Sequence, residues 1–226
     1  MGLILISCSK DDSPSTNNTT AEPLATAPVA KAENDASSTG VYKGVFVGST
    51  GYISIFIKNG NDEVKAIITV DGKTLTFTST ETVKANEAIN GITFTSGSNS
   101  FKFYASADGS TCSVSDIIVA GHPKAAIDII KEKSTVLVKC YEGTFTGDVK
   151  GTFNLAIAQG RLRGIAKPEG DNSPNGFYGQ VDDSGNINAY DDNVSITGKI
   201  NGDAVSGNWN DPKNNRKGTW TGKRTY

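Results

Sequence analysis

From about residue 41 onward, apolar and polar residues alternate along the chain. Ile53, Ile55 and Ile57 share one face of a segment whose other face carries Tyr52, Ser54 and Lys58. Leu75 and Phe77 interleave with Thr74, Thr76 and Thr78, and Phe101 and Phe103 with Lys102 and Tyr104. In the second half, Phe153, Leu155 and Ile157 interleave with Thr152, Asn154 and Ala156. Successive side chains of a strand point to opposite faces, so each run predicts a strand with one buried face. Between the runs stand Asn59-Gly60, Asp71-Gly72, Asp108-Gly109 and Asn201-Gly202. These dipeptides accept the positive φ that tight hairpins require. The pattern predicts an all-β chain of antiparallel meanders.

The opening strands of the two halves match. Tyr42-Lys43-Gly44-Val45-Phe46-Val47-Gly48 answers Tyr141-Glu142-Gly143-Thr144-Phe145-Thr146-Gly147. Period two puts Tyr42 with Phe46, and Tyr141 with Phe145, on one strand face, where both pairs are expected to pack inward. This apparent duplication divides the chain into two tandem units of about eight strands each, with lengths that allow separate cores. The first covers 41–121, a crossover follows over 122–139, and the second covers 140–226. Within the crossover, 123–132 is expected to be a short helix or irregular: Pro123 suits a first turn, and Ala125, Ala126, Ile129 and Ile130 have helical spacing. Ile127 and Ile129 also alternate as a strand would. Each unit is either a small barrel or a two-sheet sandwich. Interior glycines such as Gly164, Gly179, Gly198 and Gly207 permit the bends that barrel closure needs, and closure removes exposed edges. The Gly-Thr-Phe, Gly-Asn-Trp and Gly-Thr-Trp elements, ending at Trp209 and Trp220, resemble the strands of small up-and-down ligand-binding barrels such as avidins and lipocalins.

The N-terminus has a different character. Leu5-Ile6-Ser7-Cys8 closes a short apolar run with a branched residue three places before a cysteine and a small residue just before it. It resembles a bacterial lipoprotein signal, which implies a signal peptide over 1–7 and lipidation of Cys8. Met1 to Ser7 includes no Lys or Arg, the charge that secretory signals carry in their first region. The following Ser9-Lys10-Asp11-Asp12 resembles the export signal of surface lipoproteins in the Bacteroidota, so Lys10, Asp11 and Asp12 imply an outer-membrane location facing the cell exterior. One acyl chain holds a membrane only marginally, and two or more give stable anchoring. The segment 13–40 contains no aromatic residue and is rich in Ser, Thr, Asn, Ala and Pro. This composition predicts disorder with a reach of roughly 30 Å, and together with the lipidation that the resemblance implies at Cys8 it makes 8–40 a lipidated, disordered linker.

Composition narrows the function further. With 22 basic and 24 acidic residues, the chain has no electrostatic case for nucleic acid. No catalytic constellation stands out, since the sole histidine, His122, sits in a Gly-His-Pro turn context without a supporting motif. One His and two further Cys give no zinc spacing. Asp182-Asp183-Ser184-Gly185-Asn186 and Asp191-Asp192-Asn193 have calcium-type oxygens but not the EF-hand pattern, and hairpin turns favour the same residues. No cofactor or metal is expected. Cys112 and Cys140 are a disulfide candidate in an oxidising compartment. Lys213, Arg216, Lys217, Lys223 and Arg224 concentrate near the C-terminus as a basic rim or a solvated face. The expected function is a surface-anchored β-scaffold binding module for a glycan, small molecule or protein. The alternative is an accessory lipoprotein of a larger outer-membrane assembly, with a hydrolase third. A concave pocket lined by Tyr, Phe and Trp would favour the first, and a contiguous apolar outer patch the second.

Overall fold

The computed structural model describes residues 24–47, 51–171 and 174–226. Cys8, Lys10, Asp11 and Asp12 lie outside the described residues. Residues 51–57 show how the pattern becomes structure: Ile53, Ile55 and Ile57 are fully buried, while Tyr52 and Phe56 on the other face are half-buried. The first unit contains β1 (Gly40–Val47), β2 (Gly51–Ile57), β3 (Val64–Val70), β4 (Lys73–Thr78), β5 (Ile89–Ser96), β6 (Asn99–Ala105), β7 (Cys112–Ile118) and β8 (Ala126–Glu132). Each strand pairs antiparallel with the next as far as β7, and β1 also pairs with β8, placing Gly44 opposite Ile129. The sheet curls into a nearly closed barrel whose β7 and β8 edges are not laddered together. Its interior is filled by rings, with Phe94 stacked on Phe101 at 4.9 Å and Tyr42 edge-on to Phe103 at 4.8 Å.

The second unit contains β9 (Lys139–Gly147), β10 (Gly151–Ala158), β11 (Arg161–Pro168), β12 (Asn175–Val181), β13 (Asn186–Asp191), β14 (Val194–Asn201), β15 (Ala204–Asp211) and β16 (Arg216–Arg224). Here β16 pairs with both β15 and β9, so the meander closes into a complete barrel. The duplicated motif occupies the same place in both units, on the strand that pairs with the second strand and the last. Tyr42, Phe46 and Tyr141 are fully buried in their respective cores, and Phe145 is half-buried against the second.

A third apolar cluster joins the barrels. Val45, Ile130, Val138, Cys140, Ala156 and Ile165 meet between the outer faces of β1 and β8 and those of β9 to β11. Asn154 Nδ2 donates to the Phe46 carbonyl across this seam at 3.3 Å, and Arg163 Nη1 lies 3.2 Å from Asp128 Oδ1. Ala156 and Ala158 on β10 are small enough to let the two sheets approach.

Three expectations change. The segment 123–132 is not a helix or irregular crossover: most of it is β8, because the otherwise open edge of β1 offers a full ladder and Ile127 and Ile129 alternate into the core. The linker expected to be disordered over 8–40 is folded from Leu24 onward. It includes a 3-10 turn at Ala32–Asn34, and it is held by polar contacts rather than by its own apolar surface. Ser38 and Thr39 are buried, Lys131 Nζ donates to the Ser37 and Thr39 carbonyls at 2.6 Å each, and Asp35 accepts from the Ser134 amide at 2.7 Å. Burial lowers the Lys131 ammonium to about 8.

Cys112 and Cys140 do not form the expected disulfide. Both are buried free thiols. Cys112 Sγ contacts the Ile129 carbonyl from inside the first barrel at 3.6 Å, whereas Cys140 Sγ contacts the Gly44 carbonyl from the seam at 3.5 Å. Gly44 and Ile129 are ladder partners, so the β1–β8 wall stands between the two sulfurs. Burial pushes Cys112 up to about 11 and Cys140 up to about 12. Unfolded thiols ionise near about 8.5, so the buried thiols add stability that is complete below that pH and is lost as pH rises through 11 to 12. The stability gap between wild type and Cys140→Ala is therefore expected to narrow by about 2 kcal/mol between pH 7 and 10. Urea unfolding followed by circular dichroism checks this, and a gap independent of pH would contradict it.

Candidate functional site: an open calyx in the second barrel

The two barrels differ in how completely they are filled. Rings such as Phe94 and Phe101 fill the interior of the first, whereas the second leaves a cavity of about 230 Å³. Phe145, Phe153, Phe177, Trp209 and Trp220 line it, with Leu155 and Leu162 deeper in the barrel. It opens where β9 turns into β10, β11 into β12, β13 into β14 and β15 into β16, since Val149, Asp171, Val194 and Arg216 border it there. The opposite end is closed by Tyr141, Ile187 and Val205, all buried.

Glycines in the wall make room for the rings. A Cβ on Gly198 would lie 2.3 Å from Trp220 Cζ2, one on Gly164 would lie 2.3 Å from Phe177 Cζ, and one on Gly218 would lie 2.5 Å from Trp209 Nε1. Small residues opposite large ones let a narrow barrel accommodate bulky side chains. The indole N–H groups are satisfied by the wall itself: Trp209 Nε1 donates to the Thr146 carbonyl at 3.0 Å, and Trp220 Nε1 to the Thr197 and Asn208 carbonyls at 3.2 Å each. Each ring is thus oriented without a ligand, and its apolar surface is left for the cavity.

The mouth is charged. Asp211 accepts from the Asn214 amide at 3.2 Å and from Asn214 Nδ2 at 2.8 Å; the side-chain bond most of all holds its carboxyl below the usual range. Arg216 is the ladder partner of Asp211. Asp191 is different: burial first, then the neighbouring Asp192, pushes its carboxyl above the usual range. Asp171 is exposed at the rim.

The remaining sequence candidates fall elsewhere. His122 lies in the first unit, edge-on to Phe46 at 5.4 Å and 3.5 Å from Asp71 Oδ2. Asp182 is engaged by its own hairpin, its Oδ1 accepting from the Ser184 and Asn186 amides at 2.9 and 2.8 Å. Among the described residues, no group of three or more His, Cys, Asp or Glu side chains gathers as a metal site. The basic C-terminal residues do not form one rim. Lys213 and Arg216 lie at the open end, while Arg224 lies at the closed end, paired with Asp203 at 3.4 Å. Sequence reasoning singled out Trp209 and Trp220 but not the cavity between them, nor Asp171 and Asp211 at its mouth. It also missed a buried ion pair in the first unit, Lys43 Nζ to Glu132 Oε2 at 2.8 Å with both side chains fully buried. Among the described residues, no helix is long and apolar enough to cross a membrane. No family model, curated protein or solved structure matches this chain.

Proposed function

We propose that the protein is a lipid-anchored binding module at the outer-membrane surface whose second barrel takes up a small apolar ligand. The open cavity walled by both tryptophans carries this reading. At about 230 Å³ it is larger than the roughly 150 Å³ that accommodates benzene and below the range of about 300–1,000 Å³ typical of drug-sized ligands. One aromatic ring with a short arm fits. The described chain begins near the closed end, where Arg224 Nη2 donates to the Ala25 carbonyl, opposite the mouth. A calyx held off a membrane by its N-terminus would thus present its mouth outward. The accessory-lipoprotein alternative needs a contiguous apolar outer face. The exposed large apolar side chains among the described residues are Val29, Ile118 and the adjacent Tyr178 and Tyr190.

Ala166 lines the cavity and is half-buried. Ala166→Phe is expected to fill the space and reduce binding of 2-phenylethanol, measured by calorimetry, at least tenfold while the barrel stays folded. Unchanged affinity would mean that the ligand sits elsewhere. Anchoring is tested separately: Cys8→Ala should abolish fatty-acid labelling and membrane retention, and a mutant still labelled would refute it. Replacing Lys10, Asp11 and Asp12 with alanine should leave the protein lipidated but inaccessible to protease added to intact cells.

A further inference from the structure

The cavity has an apolar body and an anionic mouth, and the two together select a ligand class. The described residues around the opening fall at 147–151, 168–171, 174–175, 191–194 and 211–216, and among them are six carboxylates and three cationic side chains. Two of the three cations have acidic neighbours in these loops. Lys150 Nζ lies 3.2 Å from Glu169 Oε2, and Arg216 is the ladder partner of Asp211. Asp148 accepts from the Lys217 amide at 2.9 Å. Of the carboxylates that line the cavity, Asp191 is the half-buried one set between the solvent and the rings. Its side chain hangs at the end of β13, next to Asp192, with no cation in the same turn.

Resting on the calyx reading, we infer that the ligand is a small aromatic or branched apolar amine, its body against Trp209, Trp220 and Phe177 and its ammonium at Asp191. The chemistry is complementary at both ends. The apolar body leaves water for the cavity wall, and the ammonium replaces the water lost by a carboxylate at the edge of a low-dielectric space. An ammonium donates up to three hydrogen bonds, so it can reach Asp191 while remaining partly hydrated at the mouth. The electron-rich faces of the two indoles also favour a cation over an anion. An excess of negative charge around a concave opening raises the local concentration of cations and speeds their entry. A carboxylate-headed ligand would meet the same field as a repulsion, with Arg216, the ladder neighbour of Asp211, as the one cation among the described side chains that line the cavity.

Three probes with one phenylethyl body and different heads test the role of charge: 2-phenylethylamine, 2-phenylethanol and 3-phenylpropionate, each titrated calorimetrically into the full chain at neutral pH. The amine is expected to bind about tenfold tighter than the alcohol, and the carboxylate more weakly than both. Asp191→Asn should remove the amine's advantage and leave the alcohol unchanged, and Arg216→Gln should strengthen amine binding. Equal affinity of the three probes would overturn the amine assignment while leaving the calyx intact, as would tightest binding by the carboxylate with loss in Arg216→Gln. Failure of all three probes to bind would remove the calyx reading and the amine assignment with it. Loss of the alcohol in Asp191→Asn would show that Asp191 shapes the mouth rather than holding a charge, and would also overturn the assignment.

Discussion

Glu132→Ala is expected to destabilise the protein by about 3–5 kcal/mol, the range for removing one partner of a buried ion pair. Glu132 and Lys43 are both fully buried, with Nζ 2.8 Å from Oε2. The carboxylate does more than balance the ammonium. Its Oε1 accepts from the Val29 amide at 2.8 Å and its Oε2 from the Val138 amide at 3.1 Å. One side chain on β8 therefore ties together β1, the segment before the first strand and the segment leading into the second barrel. Truncation leaves a buried ammonium without its anion and two amides without acceptors. The Tyr226 ring, 4.9 Å from Lys43 Nζ, compensates only in part. Lys43→Met should cost less than Glu132→Ala, because the carboxylate keeps both amide donors. Equilibrium urea unfolding measures both changes. A cost below about 1 kcal/mol for Glu132→Ala would mean that the barrels and the N-terminal segment are held by apolar packing alone.

The second large effect concerns the wall of the calyx. Gly198→Ala is expected to cost about 3 kcal/mol, the upper part of the usual range for overpacking. The added methyl would sit 2.3 Å from Trp220 Cζ2 and 2.4 Å from the Ser206 carbonyl. Neither neighbour can yield readily, since the carbonyl belongs to β15 and the indole is held by two hydrogen bonds. Gly176→Ala is the matched control on the same barrel. No atom lies within 4 Å of its would-be Cβ, so its effect should stay within about 0.5 kcal/mol. A similar loss from both substitutions would show that the glycines matter for backbone bending rather than as seats for rings.

That contrast also shows how much of this protein was legible in its sequence. Period-two alternation located most strands because many have one buried and one wet face, as at 186–190. It failed at 123–132, where Ala125, Ala126, Ile129 and Ile130 also satisfy a helical period, and only the long-range ladder with β1 decides between the two. Interior glycines pointed to closed barrels. Their fit to particular rings was not visible, because Gly198 and Trp220 are brought together by a register between strands, not by spacing along the chain. The tryptophans were recognisable as ligand-type residues, but whether the barrel around them was full or open depends on the summed volume of every inward side chain. The mouth carboxylates looked like ordinary turn residues, which Asp182 indeed is. The folded stretch after residue 24 was hidden because its partners, Glu132, Lys131 and Ser134, lie about a hundred positions away and contribute hydrogen bonds rather than apolar periodicity.

The chain has two tryptophans, and both face the same cavity. Their emission therefore reports on the calyx and nothing else. Titration of the full chain with 2-phenylethanol, excited selectively at tryptophan, should give a saturable change in emission with a single affinity, reduced in Trp209→Phe and in Trp220→Phe and shared by 2-phenylethylamine at lower concentration. Emission that stays constant with every probe up to its solubility limit would contradict the assignment of the second barrel as a binding site.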